Sequence, residues 1–153
     1  MSGLLLIVSI AERRIALRAA EVHSVIELDS LSPIPRAPVH VAGLSALRSR
    51  VLTVIDCRRS LELEPRASED DRSKAAPKAA VVEFEGHLYA LLVDEVEDVV
   101  EARSDCTPLR TALGHGWDRA ALGMIEAEDG PLLLISVAGL VAGPHEPAGI
   151  KAA

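Results

Sequence analysis

IALRAAEVHSVIEL, at residues 15–28, and YALLVDEVEDVVEA, at residues 89–102, are two versions of one pattern. Aligned at an offset of 74, six of the fourteen positions are identical: Ala16/Ala90, Leu17/Leu91, Glu21/Glu95, Val22/Val96, Val25/Val99 and Glu27/Glu101. A second echo follows each copy, because residues 43–56 (GLSALRSRVLTVID) share their layout with residues 123–136 (GMIEAEDGPLLLIS). Repetition at about half the chain length predicts two copies of one supersecondary unit.

Length, charge and cysteine content limit the class of protein. The chain has 153 residues, which suits one domain or two coupled subdomains. Its net charge of −7 argues against nucleic-acid binding and against adhesion to anionic membranes. No apolar run approaches the roughly 20 residues of a membrane span, and no secretory signal sequence is recognisable. Cys57 and Cys106 stand far apart without a motif, so we expect a reduced, cytoplasmic protein.

Short β-prone runs separated by turn signals predict an all-β fold with a few short helices. We expect strands at residues 4–10, 15–17, 51–55, 80–84, 88–93 and 132–137. Val22, Val25 and Ile26 have a spacing that fits a helix or a strand, and their β-branching favours a strand. A short helix is expected over residues 40–44, after Pro38. Turn signals about every 8–12 residues are typical of barrels and sandwiches, so two copies predict two small barrels packed together.

The sequence predicts a single domain over residues 1–145 that consists of two subdomains. The first covers about residues 12–63 and the second about residues 80–142, in an arrangement that allows strand exchange of the termini. Residues 64–79 (EPRASEDDRSKAAPKA) are polar, small and proline-bearing, which predicts a loop or mobile linker. Residues 144–153 contain two prolines and little apolar content, which predicts a flexible tail.

No catalytic or metal-binding constellation is recognisable in the sequence. The five histidines lack metal-ligand spacing, and no phosphate-binding glycine loop or nucleophile elbow is present. The sequence therefore predicts no enzymatic activity, no metal and no cofactor. Asp56 and Asp94 end apolar runs, and we expect them to cap turns. A small ligand-binding β-barrel is a less favoured alternative, in which Tyr89, His87 and the acidic strand would line a pocket.

Charge differs between the two halves of the chain. Residues 36–59 contain five arginines and one acid, whereas residues 79–101 contain seven acids and no lysine or arginine. Two interpretations stay open at this point. In the first, the opposite charges let the two halves attract each other, or the difference has no role. In the second, the halves form two docking faces for different partners, since complementary charge sets the register and the association rate of a complex.

Residues 34–56 (IPRAPVHVAGLSALRSRVLTVID) resemble the central signature of CheW-like chemotaxis coupling proteins. That signature is a proline pair, then G-x-x-x-L-R-G, a short apolar run and an aspartate. Residues 91–96 (LLVDEV) resemble the second signature of the family, G-x-x-V-D-x-V, and residues 122–140 resemble its last strands. The resemblance covers about residues 4–142. It implies two intertwined SH3-like β-barrels of five strands each and no enzymatic activity.

The resemblance also implies a role and partners. Members of the family are adaptors that connect the cytoplasmic tips of chemoreceptors with the regulatory domain of the histidine kinase CheA, within membrane-associated arrays. The implied partner-binding residues are Val22, Val25, Val96 and Val99, which would border an apolar groove for the receptor tip, and Arg48, which would hold the receptor-facing loop. In the simpler interpretation the valines fill the two cores and Arg48 forms a structural salt bridge. We expect a monomer in isolation, with no direct membrane insertion.

Three positions depart from the family pattern. Ser24 stands where members often have a glutamate that can pair with the motif arginine, Ala46 replaces the motif asparagine, and Ser49 replaces the glycine after Arg48. If that glycine has a positive φ, a serine there costs about 1 kcal/mol or more. These departures motivate an alternative function, a specialised CheW-like scaffold in a non-flagellar chemosensory pathway.

Overall fold

The computed structural model describes residues 3–63, 78–128 and 130–144. Most of the predicted linker and tail, residues 64–77 and 145–153, lies outside these described residues. A short 3-10 turn, Ala19–Glu21, connects the second and third strands. The strands and α-helices are, in chain order, β1 (Leu4–Ile10), β2 (Arg13–Arg18), β3 (Val22–Glu27), β4 (Val41–Leu47), β5 (Arg50–Asp56), α1 (Cys57–Ser60), β6 (Lys78–Phe84), β7 (His87–Val93), β8 (Glu95–Glu101), α2 (His115–Ala120), β9 (Ala121–Ala127), β10 (Gly130–Ile135) and α3 (Val137–Ala142).

The strands form two five-stranded sheets. Sheet 1 has the order β8-β1-β2-β10-β9, and sheet 2 has the order β3-β6-β7-β5-β4. The two orders become identical when β1 to β5 are matched with β6 to β10, so each sheet combines the leading hairpin of one half with the last three strands of the other. Each sheet also contains one parallel pair, β2 with β10 and β5 with β7. The predicted all-β class with two packed five-stranded units is confirmed, and the division at 12–63 and 80–142 stays a prediction.

The aliphatic run of β1 is buried on both faces. Leu5 and Ile7 belong to a core inside sheet 1, whereas Leu6, Val8 and Ile10 belong to a second core that sheet 2 shares. Side chains alternate between the faces of a strand, so a strand covered on both sides reads as a continuous apolar run. We call the shared core the central core, and its fully buried members include Val8, Ile10, Ile15, Leu17, Ile55, Leu61, Leu91, Ile135 and Leu140.

The prediction of a helix over residues 40–44 is wrong, because Val41–Leu47 is the strand β4. This strand pairs with β5 along its whole length. Pro38 begins a turn instead, in which its carbonyl accepts a hydrogen bond of 2.9 Å from the Val41 amide. An isolated helical turn is costly to nucleate, whereas pairing with a neighbouring strand satisfies the same backbone groups at once.

Equivalent glycines mark the last hairpin of each half. Gly43 has a φ of 152° and Gly123 a φ of 147°, and a Cβ on either would overlap a backbone carbonyl, that of Ser32 or of Thr107. Ser32 and Thr107 each form an isolated β-bridge to the residue after the glycine. The repeated glycine therefore allows an incoming loop to cross the strand at close range.

Candidate partner-binding site

β3 and β8 occupy equivalent edge positions, and each contains a β-bulge. The extra residue is His23 in β3 and Glu97 in β8, because the cross-strand register shifts at these points. One additional residue brings positions three apart onto the same face of the strand. The spacing of the repeated valines, which would also fit a helix, is thus compatible with a strand that keeps both valines on one side.

On sheet 2, Val22 and Val25 both face the central core. They lie opposite Val82 and Ala80, which are buried in that core, and directly opposed residues of an antiparallel pair point to the same side. Val22 is half-buried against the core, whereas Val25 is 42% exposed. Along this edge strand, Val22 therefore packs at the core and Val25 lies at the surface.

Sheet 1 repeats this arrangement with Val96 and Val99. They lie opposite Val8 and Leu6, both buried in the central core. Val96 is half-buried against the core and Val99 is 50% exposed, and Leu4 continues the same face of β1 with 57% exposure. The inner valine of each pair helps to fill the core, and the outer valine presents apolar surface. Sequence reasoning did not place Leu4 at this surface, because its aliphatic run indicated burial only.

Arg48 lies at a separate place. It forms with Ser49 the two-residue turn between β4 and β5, with φ values of 51° and 74°. Two positive φ values define a type I′ turn, which prefers asparagine and glycine. The Arg48 side chain is exposed and forms no ion pair with any described residue. β4 is the edge of sheet 2 opposite to β3, so the structure does not bring Arg48 together with the valines.

Two aspartates accept hydrogen bonds at the ends of strands, Asp94 just after β7 and Asp56 at the end of β5. The Asp94 Oδ2 atom accepts hydrogen bonds from Arg58 Nη2 at 3.0 Å and from the Ala11 amide at 2.7 Å. Asp56 caps α1 by accepting a hydrogen bond of 3.2 Å from the Arg59 amide. Arg58 comes from the arginine-rich stretch and Asp94 from the acidic one, so attraction between the halves is realised at this point.

The two equivalent edges differ in charge. In β8 the bulge residue Glu97 is bound by Arg14 Nε at 2.9 Å and by Ser9 Oγ at 3.1 Å. The other acids of that strand are exposed: Glu95, Asp98 and Glu101. β3 has Ser24 at the position equivalent to Asp98, and its bulge residue is a histidine rather than an acid. The apolar surface of β8 therefore lies beside more negative charge than that of β3, which keeps only Glu21, just before the strand, and Glu27 of the equivalent acids.

The described residues offer a cavity and no metal cluster. Within residues 3–63, 78–128 and 130–144, no three or more His, Cys, Asp or Glu side chains are grouped to hold a metal ion. A cavity of about 590 Å³ opens on sheet 1, with a largely apolar lining beside Arg18 and Cys106. Tyr89 and His87, which the ligand-binding alternative requires, lie on β7 in sheet 2 and not in this cavity. In the part of the chain described, no helix has the length and apolar character to cross a bilayer.

Comparisons with known proteins identify the fold and the family. The model of the CheW-like domain family matches residues 4–144 of this chain. The chain belongs to that family. It is similar to the crystal structure of the scaffolding protein TtCheW from Thermoanaerobacter tengcongensis, with a TM-score of 0.74, 24% sequence identity and 90% of each chain covered. A comparison with curated protein sequences gave no significant match.

Membership of the CheW-like family confirms the resemblance seen in residues 34–56 and 91–96. The structural likeness to TtCheW confirms the arrangement of two packed five-stranded sheets. In general terms, a CheW-like protein is a chemotaxis scaffold, so an adaptor role rather than an enzymatic one follows from the family.

Proposed function

We propose that this protein is a non-catalytic adaptor that couples chemoreceptors to the regulatory domain of a CheA-type histidine kinase in the cytoplasm. Val22, Val25, Val96 and Val99 bind the partners, and Arg48 positions the loop that faces the receptor. The observation that carries this assignment is the pair of equivalent bulged edge strands. Each strand presents one half-buried and one exposed valine beside the central core.

Apolar contact supplies the binding energy, and the surrounding charge selects the partner. An exposed valine that continues a buried apolar face gives a partner helix a surface to cover without removing polar groups from water. The four acids around Val99 favour a partner that carries basic groups, and the surface around Val25, which has fewer acids, favours such a partner less strongly. One rigid body can thus hold two different partners in a fixed relationship, as an adaptor requires.

Titration calorimetry with a CheA regulatory domain and with a chemoreceptor tip fragment tests the assignment. We expect Val25→Asp or Val99→Asp to weaken binding of one partner about tenfold or more, because each places a charge within an apolar contact. Leu122→Asp is the matched control. Leu122 is 42% exposed, as Val25 is, but it lies on β9 at the opposite edge of sheet 1 from β8, so binding should not change.

Two results would count against this function. Absence of binding to either partner at tens of micromolar would remove the coupling role itself. Equal losses of binding affinity for Leu122→Asp and the two valine variants would contradict the assigned binding surface but not the coupling role.

A second candidate function is a specialised scaffold in a non-flagellar chemosensory pathway. It is favoured by the β4–β5 turn, in which Ser49 has a φ of 74° at the family glycine position and Arg48 forms no ion pair with the described residues. Expression in a strain that lacks its own CheW separates the two candidates. Restored chemotaxis would contradict the specialised role, and kinase binding without restored chemotaxis would support it.

A further inference from the structure

The last turn of α3 is bound by side chains from three other elements. The carbonyl groups of residues 139–141 accept, in order, from Arg119 Nη1 at 3.0 Å, Ser60 Oγ at 2.7 Å and His40 Nε2 at 2.8 Å. The final carbonyls of a helix lack the usual backbone partner, so the contacts to Leu140 and Val141 satisfy groups that would otherwise need water. The Gly139 carbonyl also accepts from the Gly143 amide. We call the three donors the clasp.

The clasp connects the two sheets. α3 follows β10 of sheet 1, whereas Ser60 ends the helix after β5 and His40 directly precedes β4, both in sheet 2. The carbonyl of His40 also accepts a hydrogen bond of 2.8 Å from the Asp56 amide, which holds the histidine backbone on β5. The end of α3, which follows the strand β10 of sheet 1, is therefore hydrogen-bonded to residues that adjoin the strands of sheet 2.

His40 is the member of the clasp that titrates near neutral pH. A carbonyl only accepts, so Nε2 carries the proton of the neutral ring, and Nδ1 is buried without a hydrogen-bond partner among the described residues. Gly143 lies so close to the ring that a Cβ there would overlap the imidazole. Burial lowers the pKa of His40, and the hydrogen bond to Val141 offsets this only in part. A proton on Nδ1 would be a buried charge and an unsatisfied donor.

The charged groups around His40 do not stabilise a positive ring. The Arg119 guanidinium disfavours it and lowers the pKa of His40 further. The Asp56 carboxylate, at the end of β5, is turned to Arg59 of α1. Glu62, just beyond α1, pairs with Arg119 at 4.0 Å. β4 and α3 contain no ionisable side chains.

We propose that His40 makes the attachment of α3 to sheet 2 sensitive to pH. The neutral imidazole closes the clasp, and protonation opens it, since the ring then leaves its buried place for water. Opening frees the last turn of α3 and loosens the connection between the sheets while each sheet keeps its strand pairing. The attachment is complete above the ordinary histidine pKa of about 6.5 and weakens as the pH falls below it.

Amide hydrogen exchange of the full chain between pH 7.5 and pH 5.5 tests this mechanism. The Gly143 amide reports on the last turn, because it donates to the Gly139 carbonyl at 3.2 Å. After correction for the intrinsic exchange rate, we expect its protection to fall by at most about tenfold, the factor that a histidine with a pKa of 6.5 in the open state gains over this range. Amides of β1 should keep their protection.

Three variants sharpen the test. His40→Gln keeps an N–H donor but cannot take up the proton, so its Gly143 protection should be the same at both pH values. In His40→Ala, the Gly143 amide should be unprotected at both pH values. His23→Gln is the matched control, because His23 is an exposed histidine that pairs with Glu83 away from the clasp, and it should behave like the wild type.

Two results would overturn the mechanism. One is wild-type protection that does not change with pH, and the other is an equal fall in His40→Gln. Should His40→Gln fail to fold, the wild-type ring can be titrated directly by NMR. A neutral ring with its proton on Nδ1, or titration at or above the ordinary histidine value, would exclude the clasp as the pH-sensitive element.

Discussion

The Asp94 carboxylate accepts a hydrogen bond of 3.0 Å from the Arg58 guanidinium, across the junction of the two sheets. Asp94 connects β7 of sheet 2 with β8 of sheet 1, and Arg58 lies in the helix that follows β5. The same carboxylate oxygen accepts from the Ala11 amide in the turn between β1 and β2. One side chain thus ties the exchanged hairpin of sheet 1 to sheet 2.

Replacing Asp94 should destabilise the fold. We expect Asp94→Asn to lower the free energy of unfolding by about 2 kcal/mol, because it weakens two hydrogen bonds that a charged, largely buried acceptor strengthens. Urea unfolding measures the change. Glu101→Gln removes an exposed charge from β8 and should stay within about 0.5 kcal/mol of the wild type. Similar losses in both variants would show that general charge, and not this contact, is responsible.

A methyl group at Gly123 should be far more costly than one at Gly130. Both glycines have positive φ values, 147° and 122°, but a Cβ on Gly123 would overlap the Thr107 carbonyl, whereas a Cβ on Gly130 would have nothing within 4 Å. We expect Gly123→Ala to lose at least about 2 kcal/mol more than Gly130→Ala in chemical unfolding. Equal losses would mean that backbone conformation alone decides the cost and that the close crossing has no effect.

Ser49→Gly should stabilise the protein. Ser49 has a φ of 74° in the type I′ turn, where glycine lacks the steric conflict of a side chain. The expected gain is about 0.5–1 kcal/mol in the free energy of unfolding, measured by thermal or chemical denaturation. Ser49→Ala keeps a Cβ and should bring no gain. A destabilised Ser49→Gly variant would indicate that the serine side chain itself stabilises the turn.

The two cysteines should react at very different rates. Cys57 is fully buried, and burial raises the pKa of its thiol, so it offers neither access nor thiolate at neutral pH. Cys106 is partly exposed beside the cavity on sheet 1. A thiol reagent should modify one cysteine per folded chain, identified as Cys106 by mass spectrometry, and a second only after unfolding. Labelling of Cys57 in the folded protein would contradict its burial.

The sequence by itself determined several of the strands and the correspondence of the two halves. The aliphatic run at residues 4–10 indicated burial on both faces, and the β-branched run at residues 51–55 indicated a strand, because these side chains fit a pleated surface. The repeated valines and glycines located equivalent positions in the two halves. The signatures in residues 34–56 and 91–96 were sufficient to indicate the family, since they lie within short segments of the chain.

Only the tertiary structure decided which strands pair. The exchange of the leading hairpins joins residues far apart in the chain, and burial of the central core selects that pairing where local preference does not. Residues 41–44 became part of a strand because β5 was available as a partner. The bulges at His23 and Glu97 exist only relative to neighbouring strands, and so does the shared face of the valines. The clasp around His40 likewise depends on a helix that lies about 100 positions away in the chain.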